Sequence, residues 1–304
     1  MGSARVNLIS SRQAEWSGIA GRRVLLTGAT RGIGLAAAKE LARRGAKLAL
    51  VARSEARGAE AGRLVGESAP GTQVDVLLAD LASLDSVRRL AAQVAERYPR
   101  LDALANNAGA IYSTRQVSAD GFELTWAVNH LALFLLTNLL LDRLRASAPA
   151  RIVTTSSGAH MSAQIPFDDV AAERSYPLRG MRRYGETKLA NILFTRELAH
   201  RLEDTGVDAY CFHPGLVTTG FNRNNGGLMR LGMTLIRPFE RSPEKGAETL
   251  VWLLDARDVG AAPGTYFADR RPGRASAAAQ DDEAARRLWD LSVEQTAVAA
   301  RPSS

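Results

Sequence analysis

Thr27-Gly28-Ala29-Thr30-Arg31-Gly32-Ile33-Gly34 follows the apolar run Val24-Leu25-Leu26 and leads into a segment whose apolar residues have helical spacing. Its glycines follow the pattern G-x-x-x-G-x-G. Small residues are needed where a strand turns tightly into a helix and the backbone approaches a pyrophosphate. The N-terminus of that helix offers free N–H groups and a partial positive charge to phosphates. The stretch predicts a dinucleotide-binding turn; a purely structural glycine turn is the alternative.

Short apolar strands alternate with helical stretches along the rest of the chain. We predict strands at 24–26, 47–52, 74–78, 101–105, 152–155, 207–212 and 264–267, and helices at 34–44, 58–66, 84–98, 121–146, 181–204, 243–254 and 283–291. Repeated βαβ units with apolar strands form a parallel sheet covered by helices on both faces. The predicted fold class is α/β, a single-domain, Rossmann-type doubly wound sheet. It occupies residues 21–295, between a polar N-terminal arm (1–20) and a C-terminal tail (296–304).

Composition excludes several other classes of protein. The chain has 304 residues, of which 46% are hydrophobic and 23% charged, as in ordinary globular domains. The one cysteine, Cys211, forms no internal disulfide, which favours a reducing, cytoplasmic setting. The net charge is +7, but the arginines are scattered among acids, so no nucleic-acid partner is expected. The four histidines lack metal-ligand spacing, so no metal site is expected.

No membrane-spanning segment is predicted. The longest apolar run, 131–141, is interrupted by Thr137 and Asn138 and is far shorter than the ~20 residues of a transmembrane helix. It predicts a buried helix. The arm 1–20 lacks the apolar core of a signal peptide.

The end of the second predicted strand indicates the type of dinucleotide. A cofactor with a free ribose 2′-hydroxyl usually meets an acid at this position. The chain has Ala52 followed by Arg53, whose guanidinium suits a phosphate, and Arg31 lies within the glycine loop. These residues favour NADP(H). The alternative is that both arginines are solvated and bind no phosphate. NAD(H) stays an open alternative, because the carboxylate of Glu55 lies nearby in the sequence.

Chemistry-bearing residues follow three later strands. Tyr184 and Lys188 lie four residues apart in a predicted helix, so they share one face. A nearby ammonium favours the phenolate form, as a tyrosine acid or base working near neutral pH requires. Ser157 and the stretch Asn106-Asn107-Ala108-Gly109 follow strands at the carboxyl edge of the predicted sheet, where ligands bind. An ordinary helix-surface pair is the alternative for Tyr184 and Lys188.

Together these segments resemble the short-chain dehydrogenase/reductase family, and more narrowly its retinol-dehydrogenase-like branch. The resemblance covers residues 21–291. The further stretches that carry it are Asp120-Gly121-Phe122-Glu123-Leu124, Val128-Asn129-His130-Leu131, Ser156-Ser157-Gly158-Ala159-His160, 188–195, His213-Pro214-Gly215, Tyr266-Phe267 and Arg287-Leu288-Trp289-Asp290.

The resemblance implies a role for each matching residue. Tyr184 is expected to be the general acid and base. Lys188 is expected to bind the nicotinamide ribose and to depress the tyrosine pKa. Ser157 is expected to polarise the substrate carbonyl, and Asn129 to hold a water in a proton relay. The cofactor is expected to contact Gly28, Thr30, Arg31, Gly32, Ile33 and Gly34 at the pyrophosphate, Arg53 at the 2′-phosphate, Asp80 and Leu81 at the adenine, Asn107, Ala108 and Gly109 along its length, and Pro214, Gly215, Val217 and Thr219 at the nicotinamide.

The chain departs from that branch in two places. Membrane-bound retinol dehydrogenases carry an N-terminal anchor, which the polar arm does not resemble. The stretch between Ser157 and Tyr184 is long and contains Tyr176, which has no lysine four residues later and is predicted to lie in a loop.

The predicted function is NADP-dependent hydride transfer between a nicotinamide and the carbonyl or alcohol of an apolar substrate. An NADP-sensing protein without catalysis is the first alternative, but it has no need for Tyr184, Lys188, Ser157 and Asn129 together. A nucleotide-sugar epimerase or dehydratase is the second, but its glycine spacing differs and its C-terminal domain is larger. Whether the chain forms a homo-oligomer stays open.

The substrate is the least specified part of the function. The segment 219–244 is predicted to be a mobile lid over the active site, and it is rich in Leu, Met, Phe and Ile. An apolar lid suits a bulky retinoid-, steroid- or polyketide-like substrate, or a xenobiotic carbonyl. The alternative is that the apolar side chains of this lid pack against the rest of the protein and say nothing about the substrate.

Overall fold

A computed structural model describes residues 15–215 and 241–298 of the chain. The predicted cofactor residues Val217 and Thr219, and the predicted lid up to residue 240, lie outside the described residues. So do residues 1–14 of the predicted arm and 299–304 of the predicted tail. The described end of the arm contains two buried residues, Trp16 and Ile19.

The described strands are β1 (Arg23–Leu26), β2 (Lys47–Ala52), β3 (Val74–Leu78), β4 (Ala103–Asn106), β5 (Ala150–Thr155), β6 (Val207–His213), β7 (Tyr266–Ala268) and β8 (Arg271–Pro272). They form one sheet in the order β3-β2-β1-β4-β5-β6-β7-β8. β1 to β7 run parallel, and β8 pairs with β7 in the antiparallel direction. The predicted doubly wound fold is confirmed, and the strand order reverses between β1 and β4, where such sheets bind ligands.

The described helices are α1 (Gly32–Arg43), α2 (Glu55–Ser68), α3 (Leu84–Arg97), α4 (Leu124–Ala146), α5 (Met181–Arg201), α6 (Pro243–Asp255) and α7 (Asp282–Thr296). Successive strand residues contribute to different apolar clusters, as the alternation of side chains along a strand requires. Leu25 packs in a cluster with α3, α4, α5 and α7, whereas Leu26 packs in a second cluster with α1, α2 and α6. Helices therefore cover both faces of the sheet.

The helix α4 differs from its predicted form at its start. Residues 121–123 are not helical, because the backbone of Glu123 pairs with Val117 in an isolated bridge. The Glu123 carboxylate instead caps the helix by accepting from the N–H groups of Thr125 and Trp126. The next five residues, Ala127–Leu131, are π-helical, a form that is frequent at functional sites.

Among the described helices, α4 is long and apolar enough to cross a membrane, with a mean hydropathy of 1.6 over its most apolar window. However, 83% of that window is buried inside the protein. Core helices pass the same test of length and composition, and the prediction of a buried helix at 131–141 is confirmed.

Other boundaries move by a few residues. α1 begins at Gly32, two residues before the predicted start, and β4 covers Ala103–Asn106 in place of 101–105. β8 was not predicted, since two residues are too short for a periodic signal.

Candidate active site

The glycine loop after β1 packs tightly against the loop after β4. Gly28 has a φ of +67°, and a Cβ at this position would lie 2.8 Å from the Cα of Ala108. A Cβ on Gly34 would lie 2.1 Å from the carbonyl oxygen of Gly28. The loop after β4 braces this turn, because the Asn107 amide donates to the carbonyls of Thr27 and Gly28 at 3.2 and 3.3 Å. Side chains larger than hydrogen do not fit at these two positions.

The first turn of α1 lies directly after this loop. Arg31 precedes it in an extended conformation, and no side chain caps the helix. The first N–H groups of a helix have no partner within it, so an uncapped N-terminus is suited to an anion. The arrangement fits the pyrophosphate of a dinucleotide, with Gly32, Ile33 and Gly34 in that turn.

The predicted 2′-phosphate and adenine residues lie at the ends of β2 and β3. Arg53 is exposed and makes no hydrogen bond or ion pair to the described part of the chain. Asp80 is also exposed, and its carboxylate accepts from the N–H of Ala82 at 3.0 Å. Burial raises the pKa of Tyr112, while the charge of Arg53 lowers it and that of Asp80 raises it. Leu81 packs against the apolar core.

Tyr184 and Lys188 lie on one face of α5, as predicted. The Lys188 Nζ atom lies 5.4 Å from the centre of the Tyr184 ring and donates to the carbonyl of Thr155 at 3.1 Å. The loop after β4 comes close to the same ammonium, since a Cβ on Gly109 would lie 3.3 Å from Nζ. The side chain of Ser157 lies next to the Tyr184 hydroxyl. Phenol, serine hydroxyl and ammonium thus meet at the carboxyl edge of the sheet.

Burial shifts the pKa values of both residues of this pair. Burial raises the pKa of Tyr184 to about 12, and the neighbouring Ser157 side chain lowers the same pKa by a smaller amount. Burial also lowers the pKa of Lys188 to about 8. Burial is the larger cause for Tyr184 because it removes the phenolate from water, and the expected depression of the tyrosine pKa by Lys188 stays a prediction.

Asn129 connects three parts of the site. It is fully buried in the π-helical segment of α4. Its Oδ1 accepts from the N–H of Ala110 at 2.7 Å, and its Nδ2 donates to the carbonyl of Ala110 at 2.8 Å and to the Thr187 hydroxyl at 3.1 Å. The amide therefore ties the loop after β4 to the helix that carries Lys188. Its role in a water relay stays a prediction.

The loops after β5 and β6 complete this edge. Ser157 accepts from the N–H of Ala159 at 3.2 Å and begins a short 3-10 helix, Gly158–Ser162. Pro214 and Gly215 follow β6, and a Cβ on Gly215 would lie 2.7 Å from the Cδ atom of Arg241. Arg241 forms an ion pair with Asp269. Pro214 and Gly215, the predicted nicotinamide residues that the structure describes, therefore lie at the same edge of the sheet as Ser157, because β5 and β6 are parallel neighbours.

Two residues of this region were missed from the sequence. His213 accepts hydrogen bonds from both loops, and Arg241 covers Gly215. His213 directly follows the predicted strand 207–212, which was a usable signal, whereas Arg241 is distant in sequence from every motif.

The remaining histidines and the cysteine have structural surroundings. His130 is fully buried beside Trp126, and burial lowers its pKa to about 3. Cys211 is a buried free thiol in β6. Tyr176 lies in a loop, also as predicted, and donates to the carbonyl of Tyr112 at 3.1 Å. In residues 15–215 and 241–298, no group of three or more His, Cys, Asp or Glu side chains is placed to hold a metal ion.

Comparisons with known proteins agree with this fold and site. The family model for short chain dehydrogenases matches residues 22–227, so the chain belongs to the short-chain dehydrogenase/reductase family. It is 41% identical to retinol dehydrogenase 12 of Mus musculus over 276 residues, which cover 91% of this chain and 86% of that protein.

Solved structures show the same fold. A protein from Mycobacterium paratuberculosis has a TM-score of 0.74 and 32% identity, covering 93% of this chain and 98% of its own. A short chain dehydrogenase from Burkholderia cenocepacia in complex with NADP has a TM-score of 0.66 and 26% identity, covering 86% of this chain and 99% of its own. The chain is thus an alcohol or carbonyl oxidoreductase by family, similar to retinol dehydrogenases.

Proposed function

We propose that this chain is an NADP-dependent reductase and dehydrogenase that interconverts a carbonyl and an alcohol on an apolar substrate. The observation that carries the proposal is the placement of the Tyr184 phenol next to the Ser157 side chain, with the buried ammonium of Lys188 5.4 Å from the centre of its ring. A protein that only senses the cofactor needs none of these groups in contact.

The chain's own groups have separate tasks in the proposed reaction. Ser157 donates a hydrogen bond to the substrate oxygen and holds it beside the phenol. Tyr184 donates a proton to that oxygen during reduction and accepts it during oxidation. Lys188 supplies positive charge, which favours the phenolate in the oxidative direction. The nicotinamide, when bound, supplies or accepts the hydride. Asn129 fixes the loop after β4 relative to α5.

The proposed preference for NADP(H) over NAD(H) rests on two arginines that follow the carboxyl ends of β1 and β2. Position 52 carries no carboxylate to grip a free ribose 2′-hydroxyl, and Arg53 next to it is exposed. Arg31 lies at the start of α1 and is also exposed. A guanidinium fork pairs well with a phosphate. The similar dehydrogenase from Burkholderia cenocepacia, solved with NADP, supports the same choice.

An apolar substrate is supported by exposed apolar side chains that lie close in sequence to Ser157 and Tyr184. Met161 is 51% exposed in the short helix after Ser157, Leu178 is 75% exposed and Met181 is 42% exposed at the start of α5. Exposed apolar side chains next to reacting groups favour an apolar ligand. Similarity to retinol dehydrogenases points to the same chemistry, so a retinoid-, steroid- or polyketide-like carbonyl is proposed. We further propose a cytoplasmic enzyme without a membrane span or nucleic-acid partner.

A substrate panel tests the proposal. The purified chain is incubated with NADPH or NADH and with retinaldehyde, steroid ketones, aromatic aldehydes and short polar ketones, and cofactor oxidation is followed at 340 nm. We expect NADPH-dependent turnover, fastest with apolar substrates. Tight NADPH binding without turnover of any substrate in either direction would favour the sensing protein instead.

A further inference from the structure

One imidazole nitrogen connects the two loops that flank the proposed reaction centre. His213 is the last residue of β6, and its Nδ1 accepts from the N–H of Gly158 at 3.1 Å and from the N–H of Gly215 at 3.3 Å. Gly158 directly follows Ser157, and Gly215 belongs to the loop proposed to hold the nicotinamide. The two donors belong to segments 57 residues apart in the chain.

These contacts fix the chemical state of the imidazole. A nitrogen that accepts hydrogen bonds carries no proton, so His213 must be neutral with its proton on Nε2. Burial lowers the pKa of His213, and the charges of Arg241 and His160 lower it further, whereas Asp269 raises it. These are the charged and titratable groups that face the ring from the described part of the chain. Neutral pH therefore keeps Nδ1 available as an acceptor.

A second histidine holds Ser157 from the other direction. The His160 Nε2 accepts from the N–H of Ser276 at 3.3 Å. Its Nδ1 is therefore the protonated nitrogen, and it donates to the carbonyl of Ser157 at 2.7 Å. The carbonyl of Ser157 and the next N–H are thus both fixed by imidazoles. These two groups belong to one peptide unit, so the backbone that carries the Ser157 side chain is held on both sides, and the Ala159 N–H donates to the Ser157 Oγ at 3.2 Å.

We propose that His213 is a positioning residue that sets the distance between the substrate-side serine and the cofactor-side loop through its unprotonated Nδ1. The proposal rests on the proposed function for its effect on rate. The geometry it describes is independent of any activity. Loss of the Nδ1 acceptor is expected to disturb the orientation of substrate and cofactor during turnover more than the binding of either one. A misplacement of about 1 Å lowers rates about a hundredfold.

Two substitutions of His213 distinguish the role of its hydrogen-bond acceptor from that of its side-chain volume. His213→Asn places an amide oxygen where Nδ1 lies, whereas His213→Gln moves its oxygen one methylene farther along the side chain. The control is His200→Gln at the exposed C-terminal end of α5. We expect His213→Gln to lower kcat at least tenfold with less than a threefold change in the Kd for NADPH. On a logarithmic scale, the kcat of His213→Asn should lie at least halfway from that of His213→Gln back to that of wild type. Equal losses in Asn and Gln variants would overturn the proposal.

A measurement without turnover tests the same contact. Nitrogen-15 NMR of the imidazoles should show unprotonated Nδ1 and protonated Nε2 for His213 between pH 7 and 8. Amide hydrogen exchange at Gly158 and Gly215 should accelerate in His213→Gln and less in His213→Asn. A protonated Nδ1, or unchanged exchange at both glycines in the Gln variant, would overturn the proposal even if the chain proved active. Absence of turnover with the expected NMR result would instead contradict the proposed function alone.

Discussion

Arg183 on α5 forms a buried ion pair with Glu123 at the start of α4, with 2.7 Å between Nε and Oε2. Both side chains are almost inaccessible to solvent, at 2% and 0%. Arg183 also pairs with Glu186, and its guanidinium lies 4.7 Å from the centre of the Trp126 ring. The residue after Arg183 is Tyr184, and α4 carries Asn129. The ion pair therefore fixes the two helices that supply the proposed catalytic residues relative to each other.

We expect removal of either partner to be strongly destabilising. Arg183→Met leaves the Glu123 carboxylate buried without its cationic partner, and Glu123→Gln leaves the guanidinium with Glu186 and the carbonyl of Val170 among the described residues. Breaking a buried pair costs about 3–5 kcal/mol, because one charge stays buried and uncompensated. Urea unfolding monitored by circular dichroism measures the loss. The double variant should lose clearly less than the sum of the single losses, and additive losses would contradict the coupling.

Gly34→Ala is expected to abolish cofactor binding. The new Cβ would lie 2.1 Å from the carbonyl oxygen of Gly28, so the turn between β1 and α1 would have to move. The control is Gly66→Ala in α2, where a Cβ meets nothing within 4 Å. That substitution should stabilise the protein by up to about 1 kcal/mol through helix propensity. Isothermal titration with NADPH and thermal unfolding separate the two effects. NADPH affinity within threefold of wild type in Gly34→Ala would contradict the loop's role.

Tyr184→Phe is expected to lower kcat at least tenfold while the affinity for the cofactor stays nearly unchanged. The substitution removes only the hydroxyl next to Ser157 and leaves the ring beside Lys188. A tenfold loss corresponds to ~1.4 kcal/mol of transition-state stabilisation. Tyr176→Phe is the matched control for loss of a phenol hydroxyl: its hydroxyl contacts Tyr112, Glu123 and Thr125 and not Lys188, so its loss can lower stability, which thermal unfolding checks, without removing the proton donor. Retention of more than about a tenth of the wild-type kcat in Tyr184→Phe would show that another group transfers the proton.

Local pattern was sufficient to predict the sheet and the glycine loop. Strand and helix periodicity, and the need for glycine at Gly28 and Gly34, depend on neighbours in sequence. The pairing of Tyr184 with Lys188 was predictable for the same reason, since residues four apart share a helix face.

Contacts between distant segments were not predictable in this way. Glu123 and Arg183 lie 60 residues apart, and their meeting depends on how α4 packs against α5. Trp16 was assigned to a polar arm, yet its ring packs against the guanidinium of Arg22 at 4.1 Å and is nearly buried. The raised pKa of Tyr184 also follows from burial, which depends on the assembled core rather than on the motif.

The lowered pKa of Lys188 predicts a pH-dependent contribution to stability. The unfolded chain binds a proton at Lys188 up to its ordinary pKa of 10.5, whereas the folded chain releases it at about 8. The unfolded state therefore binds more protons between these values, so folding becomes more favourable as the pH rises through that window. Lys188→Met lacks this titration. We expect the free energy of unfolding of wild type relative to Lys188→Met to increase between pH 7 and pH 9.5 in urea unfolding without cofactor. A difference that is constant or decreases with pH would contradict the lowered pKa.

Arg53→Ala is expected to weaken NADPH binding far more than NADH binding. Arg53 is exposed at the end of β2 and makes no hydrogen bond or ion pair within the described residues, so its charge is available to the 2′-phosphate. A charge-assisted hydrogen bond contributes about 1.5–3 kcal/mol when well formed, and exposure to solvent lowers this value. One good contact still corresponds to a preference of roughly tenfold, since ~1.4 kcal/mol is a factor of ten.

The matched control for this prediction is Arg57→Ala on α2, which removes the same charge from an exposed position one turn farther along the chain. If long-range charge alone favoured NADPH, the two variants would lose similar affinity, and the loss would disappear at high salt. If Arg53 pairs directly with the phosphate, only Arg53→Ala loses at least fivefold in NADPH affinity, with NADH unchanged. Ala52→Asp should add repulsion to the phosphate and shift the preference toward NADH. Fluorescence titration of both cofactors into the wild type and the three variants measures these affinities. Equal wild-type affinities, or tighter NADH, would show that these arginines are only solvated surface.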